Sequence, residues 1–127
     1  MIAIERLDHL VLTVADIDRT CGFYAGILGM TVETFGQGRK ALRFGDQKIN
    51  LHQAGHEFEP KARKPTPGSG DLCFLAQAAM AEIVADLQRS GVAIELGPVE
   101  REGAAGRLIS VYIRDPDGNL IEIANRQ

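Results

Sequence analysis

The order of apolar segments is the same in the two halves of this 127-residue chain, and this repeat constrains the fold more than any other feature. In the first half, a β-branched and leucine-rich segment at 7–14 precedes apolar residues at helical spacing over 17–28. Three further short apolar segments follow, and the second half repeats the order from residue 71. Each half therefore predicts a β-α-β-β-β module, and the chain predicts an α+β protein.

The predicted elements are short and end at residues that favour turns. The predicted strands are 7–14, 30–35, 41–44, 48–52, 71–75, 92–96, 108–113 and 120–124, and the helices begin at Ile17 and Met80. Asp16 is placed to cap the first helix, and Gly29 and Gly91 are placed to end the two helices. Asp117-Gly118 predicts a hairpin.

The domain organisation that follows is one domain built from two modules. Module 1 covers about residues 5–53 and module 2 about residues 71–127. The segment between them, about 54–70, is rich in proline and glycine and is either a linker or a long functional loop.

Charge and composition exclude several partners. Fourteen Lys and Arg stand against 17 Asp and Glu, for a net charge of -3, so the chain has no overall basic footprint for nucleic acid or anionic lipid. No apolar run approaches the ~20 residues of a membrane helix, and the N-terminus does not resemble a signal peptide. Cys21 and Cys73 form no disulfide framework, which favours a reducing, cytoplasmic setting and buried thiols.

Four polar residues stand in predicted strands at related places in the two halves. His9 and Asp71 lie on the first strand of each half, and His52 and Glu122 lie on the last. If the modules are related by a pseudo-twofold axis, these side chains can converge. Two imidazoles and two carboxylates then suit a divalent first-row metal ion. Taken singly, each has a structural alternative: a core histidine, a surface histidine, a turn cap or a solvent-facing glutamate.

Weaker candidates for substrate binding lie on a polar strand face and in the loop. The strand face carries Ser110, Tyr112 and Arg114, and the loop carries Lys61 and Arg63. A solvated surface is the structural alternative for both groups.

Two segments of the chain resemble the vicinal-oxygen-chelate proteins, the glyoxalase, bleomycin-resistance and dioxygenase superfamily. The first is LDHLVLTV at 7–14, with Asp16 and FYxxILGM at 23–30. The second, more specific, is RDPDGNLIE at 114–122. KINLH at 48–52 and PTPGSGDLCF at 65–74 resemble the glyoxalase-domain-containing protein 5 group within it.

The resemblance implies a curved, incomplete mixed β-barrel around a divalent metal ion, in a homodimer. Ni, Zn, Mn, Fe and Co all stay open as the ion. By position, His9 and Glu122 match family ligands, His52 matches a glutamate ligand of glyoxalase I, and Asp71 replaces a histidine. The implied catalytic groups are Glu122 as general base and Asp71 as the second.

The function that the resemblance implies is a metal-dependent lyase or isomerase that acts on a small oxygen-bearing substrate. The alternatives are an extradiol-type dioxygenase and a metal-free protein that binds a small molecule. The sequence does not determine the substrate, the metal or the use of a thiol cosubstrate.

Overall fold

The computed structural model describes residues 1–127, which form two compact units, Met1–Pro67 and Gly68–Gln127. Each unit contains one helix and one four-stranded mixed sheet. The first unit consists of β1 (His9–Val14), α1 (Ile17–Gly26), β2 (Thr31–Phe35), β3 (Arg39–Phe44) and β4 (Gln47–Gln53). The second consists of β5 (Asp71–Leu75), α2 (Met80–Arg89), β6 (Leu96–Gly103), β7 (Gly106–Arg114) and β8 (Leu120–Arg126).

The two sheets have the same strand order, β1-β4-β3-β2 and β5-β8-β7-β6. The first and last strands of each unit pair in parallel, and the remaining neighbours pair antiparallel. A parallel pair needs a crossover, which the helix and the two middle strands provide. The prediction of an α+β fold with two β-α-β-β-β modules is therefore confirmed.

The core of the first unit lies between α1 and one face of its sheet. Leu12, Leu42 and Leu51 are buried, and Tyr24 of α1 is fully buried. The helix begins where predicted, because the Asp16 carboxylate accepts a hydrogen bond from the amide of Arg19, at 3.1 Å. The opposite face of this sheet is left for polar side chains, since successive residues of a strand point to opposite sides.

The second unit is built in the same way. Ile83 and Leu87 of α2 are buried, as are Val111 and Ile121 in the sheet. Ser110 and Glu122, at odd offsets from these core residues, point to the other face.

The predicted strand at 92–96 is wrong. The amide of Val92 bonds back to Leu87 at the end of α2, and the strand begins only at Leu96 and continues to Gly103. Its register with β7 shifts between Leu96 and Val99, around Pro98. A proline and charged residues are tolerated here because β6 is an edge strand. Since such residues are uncommon in strands, the sequence pattern did not predict a strand over this segment.

The turn between β7 and β8 is a buried polar network. One Asp115 carboxylate oxygen accepts from the amides of Asp117 and Asn119, at 2.9 Å each, and the other from the Asn119 side chain at 2.7 Å. The side-chain oxygen of Asn119, Oδ1, accepts from the amide of Gly70 at 2.6 Å. The network thus fixes the residue that precedes β5.

Neither helix of the fold is long and apolar enough to cross a membrane.

Asn119→Ala is expected to lower the free energy of unfolding by about 2–3 kcal/mol, because it removes the side-chain acceptor of the Gly70 amide and a side-chain donor to the Asp115 carboxylate. The measurement is urea denaturation followed by circular dichroism. Gln77→Ala, at an exposed position, is the control and should change stability by less than about 0.5 kcal/mol. An Asn119→Ala variant as stable as the control would contradict the role given to this network.

Candidate metal and ligand site

The strand register sets which polar residues of the first sheet are neighbours. On the parallel pair β1–β4, Val11 is opposite Asn50 and Thr13 is opposite His52. His9, Asn50 and His52 therefore share the face that points away from α1. His9 is opposite Lys48 in this register. Asn50 therefore lies two residues further along β4 than the partner of His9, and His52 lies four residues further, about 13 Å along the strand.

His9 has an acidic neighbour that orients its ring. Its Nδ1 lies 2.8 Å from a carboxylate oxygen of Asp8, and 43% of its side chain is exposed. A carboxylate on one ring nitrogen fixes the imidazole so that the other nitrogen can bind a metal ion. The hydrogen bond with His9 lowers the pKa of Asp8, and the Asp8 carboxylate therefore stays ionised.

Asn50 is a residue that sequence reasoning missed. It is buried, and its side-chain oxygen has no hydrogen-bond partner. Relative to β1 it stands where Glu122 stands relative to β5, because Val11–Asn50 and Cys73–Glu122 are the corresponding register pairs. The sequence predicts His52 as the counterpart of Glu122, whereas the register makes the counterpart Asn50, two residues earlier in β4. Register in the parallel pair, which the sequence does not show, is the signal that identifies Asn50.

His52 is buried in basic and aromatic surroundings. Its Nε2 lies 3.5 Å from the guanidinium of Arg39, and its ring packs edge-on against Phe58. Burial, and then the charge of Arg39, lower the pKa of His52 below its usual range. A neighbouring guanidinium repels a metal cation, so these surroundings favour Asn50 over His52 as the partner of His9. The metal-ligand role of His52 stays a prediction.

In the second unit, Asp71 and Glu122 form the corresponding pair. Asp71 opens β5 and is exposed, and Glu122 lies on β8 opposite Cys73, two positions further along. Both face away from the buried side of the sheet, as alternation predicts.

The Glu122 carboxylate is held by Ser110, whose buried hydroxyl donates to Glu122 Oε2 at 2.6 Å. Cys73 lies opposite Glu122 in the register, and partial burial of the thiol followed by the Glu122 charge raises the pKa of Cys73 to about 11. Residue Cys73 is exposed, so the prediction of a buried thiol is wrong at this position. Ser110, expected to bind substrate, is placed to orient Glu122.

The other predicted binding residues have protein partners. Arg114 makes a bidentate ion pair with Glu95, at 2.9 and 3.0 Å. The Tyr112 hydroxyl accepts from Arg101 Nε at 2.9 Å. Lys61 lies 3.3 Å from Glu59 and 3.6 Å from Glu57, and Arg63 is exposed.

A cavity opens beside the candidate residues in each unit. In the second unit a cavity of about 550 Å³ is lined by Cys73 and Glu122 together with Leu75 and Leu108. In the first, a cavity of about 230 Å³ is lined by Val11, Thr13, His52, Pro60, Lys61 and Ala62. The larger one has the size of a small-molecule site, and its wall combines the Glu122 carboxylate with these leucines and with Arg107 and Arg126.

No three His, Cys, Asp or Glu side chains of the chain cluster closely enough to hold a metal ion. The donors instead occur in pairs, His9 with Asn50 in the first unit and Asp71 with Glu122 in the second.

Comparison with known families covers nearly the whole chain. The model of the Glyoxalase/Bleomycin resistance protein/Dioxygenase superfamily matches residues 6–123.

Two curated relatives share more than half of their aligned residues with the chain. Virulence protein STM3117 of Salmonella typhimurium is 59% identical over 95% of this chain and 84% of its own length. Glyoxalase domain-containing protein RDO1 of Mycosarcoma maydis is 55% identical over 99% of this chain and 71% of its own.

Solved structures give the same fold. The crystal structure of STM3117 superimposes with a TM-score of 0.98 and covers 99% of this chain and 100% of that one. Lactoylglutathione lyase from Agrobacterium tumefaciens, at 23% identity, has a TM-score of 0.74 over 97% of this chain and 95% of its own. TnmS3 from Streptomyces sp. CB03234, an antibiotic binding protein at 22% identity, has a TM-score of 0.77 over 100% of both chains. These last two likenesses show the fold alone.

Glu122→Gln is expected to speed alkylation of Cys73 by iodoacetamide at mildly alkaline pH by about threefold or more. Removing the negative charge lowers the pKa of the thiol and increases its thiolate fraction, while burial keeps part of the shift. The rate is measured by mass spectrometry of the Cys73 peptide. Cys21, on α1, is the internal control, and an unchanged Cys73 rate would contradict the Cys73–Glu122 contact.

Proposed function

Because the chain belongs to the Glyoxalase/Bleomycin resistance protein/Dioxygenase superfamily, we propose that it is a metal-dependent, glyoxalase-like enzyme of the lyase or isomerase type. The observation that carries this proposal is the matched placement of donor pairs on the two units, His9 with Asn50 and Asp71 with Glu122. Side chains at these four register positions are not needed for the core, since all four lie on the face opposite the helix-packed one.

The residues present fit a divalent metal ion. The Asn50 side-chain oxygen is buried without a partner, which costs free energy unless a bound group satisfies it. The Asp8 contact leaves one nitrogen of His9 available, and Asp71 makes no ion pair. Nitrogen and oxygen donors of this kind, an imidazole with an amide oxygen in the first unit and two carboxylates in the second, suit first-row divalent ions.

A bound divalent ion supplies Lewis-acid stabilisation of the negative charge that develops on substrate oxygens. The chain's own residues then handle the proton. We assign Glu122 as the general base, with a carboxylate oxygen that takes a proton from substrate carbon and returns it. Ser110, whose hydroxyl donates to Oε2, keeps the carboxylate in one orientation. Asp71 is the second candidate base on the same face.

Closure of the site to water is a further part of this chemistry. The cavity beside Glu122 is walled by Leu75 and Leu108, so a substrate that fills it displaces solvent from the carboxylate. The proposal includes a small-molecule substrate, a homodimer and a cytoplasmic location. Antibiotic binding by TnmS3 supports small-molecule binding on this fold.

His9→Ala and Glu122→Ala are each expected to weaken metal binding by about tenfold or more, because each removes a proposed ligand. Purified proteins are equilibrated with Ni, Zn, Mn, Fe or Co, and bound metal is measured by elemental analysis. The matched controls are His56→Ala in the exposed loop and Glu82→Ala in α2, which should keep the metal. Equal metal content in wild type and both site variants would remove the proposed site.

The reaction class is tested with the same metal-loaded protein. The methylglyoxal–glutathione adduct is compared with catechols as substrates, and Glu122→Gln is expected to lose isomerase turnover by about 100-fold or more while remaining folded. Ring cleavage of a catechol with consumption of dioxygen would replace the proposal by a dioxygenase. Tight binding of a small molecule without turnover for any ion would replace it by a binding protein.

A further inference from the structure

Two cations on the polar face of the first sheet, Arg39 and Lys48, make no direct ion pair, although the charge of Lys48 helps to lower the pKa values of Asp8 and Glu33. Arg43 on this face pairs with Glu33, with Nε and the carboxylate oxygen 2.8 Å apart. Arg39 and Lys48 lie on the same face and make no ion pair. Both are half-buried, so their charges are less screened than those of exposed side chains.

Aromatic rings hold these two cations in place. The Arg39 guanidinium lies 5.0 Å from the ring centre of Phe35 and 4.6 Å from that of Phe58, and Lys48 Nζ lies 4.1 Å from the ring centre of Phe35. Cation–π contacts position a cation without neutralising its charge. The guanidinium of Arg39 therefore keeps its charge available to a ligand, whereas Lys48 also acts on the carboxylates of Asp8 and Glu33.

The hydrogen-bonding capacity of Arg39 is also unsatisfied. Its Nε is buried and has no partner, and its terminal nitrogen lies 3.5 Å from His52 Nε2, which is long for a hydrogen bond. Buried guanidinium groups in proteins are normally paired with an anion or an acceptor, because an unpaired donor costs free energy. An oxyanion is the ligand that satisfies a guanidinium best, since its oxygens match the planar donors.

Space for such a group exists next to this cluster. The cavity of about 230 Å³ opens on His52, whose Nε2 lies 3.5 Å from the Arg39 guanidinium. Its wall includes Lys61, and residues Pro60 to Ala62 of the loop cover it. The two glutamates near His52, Glu57 and Glu59, form ion pairs with Lys61, and neither forms one with Arg39.

We propose that Arg39 and Lys48 bind an oxyanion, a carboxylate or a phosphate-type group, on the polar face of the first sheet. The inference deepens the proposed function, because it names an anionic compound as the substrate class. Only the identification of the bound anion as the substrate rests on the proposed function. Lys48 lies opposite His9 in the strand register, so the bound anion is a neighbour of a proposed metal ligand.

The test measures binding of inorganic phosphate, acetate and chloride to metal-free protein by NMR titration of backbone amides at constant ionic strength. Saturable shifts with phosphate or acetate at residues of β3 and β4, without saturation by chloride, are expected, and the two arms distinguish the two anion types. Absence of saturable shifts with both anions overturns the proposal.

Variants assign the binding to the two side chains. Lys48→Met and Arg39→Met are each expected to weaken anion binding, with a dissociation constant about tenfold higher than that of the wild type. The controls are Lys64→Met in the loop and Arg19→Met on α1, which should bind as wild type. Equal weakening in the controls, or wild-type binding in Lys48→Met, overturns the proposal.

Two further comparisons keep the outcome clear. Arg39→Lys preserves the charge but not the planar donors, and intermediate binding is expected. If Arg39→Met does not fold, Lys48→Met decides alone. Because no metal is present, a negative result here leaves the metal proposal untouched, and loss of metal from His9→Ala leaves this proposal untouched.

Discussion

Parallel pairing of the first and last strand in each unit is the constraint on which the rest of the structure depends. The register of β1 with β4, and of β5 with β8, decides which polar residues become neighbours. Since successive strand residues point to opposite faces, the helix-packed face takes the leucines and isoleucines, and the polar residues collect on the other. A shift by one residue would exchange the two faces, which the buried core prevents.

The polar faces of the two sheets differ in charge. The second sheet presents Asp71 and Glu122, with Glu122 held by Ser110, and Arg126 lies on the same face of β8. The first sheet presents His9 and the unpaired cations Arg39 and Lys48. Acidic groups suit a metal ion and a proton transfer, and cations suit an anionic ligand. The two proposals therefore rest on different side chains and are separable by experiment.

Membership of the superfamily does not by itself choose a reaction. A lyase and an antibiotic binding protein have TM-scores of 0.74 and 0.77 with this chain, so the backbone is compatible with either activity. The choice depends on a few side chains at the strand positions described above, and the unpartnered oxygen of Asn50 is one that the fold alone does not explain.

The sequence by itself determined the elements and their repetition. Apolar periodicity located both helices and most strands, Asp16 marked a helix start, and alternation assigned His9 and Glu122 to their faces. The structure alone decided the β6 edge strand around Pro98, the exposure of Cys73 and the identity of Asn50 as the counterpart of Glu122. Local patterns record the conformation of one segment, whereas pairing register and burial depend on residues distant in the chain, so they exist only once the strands have met.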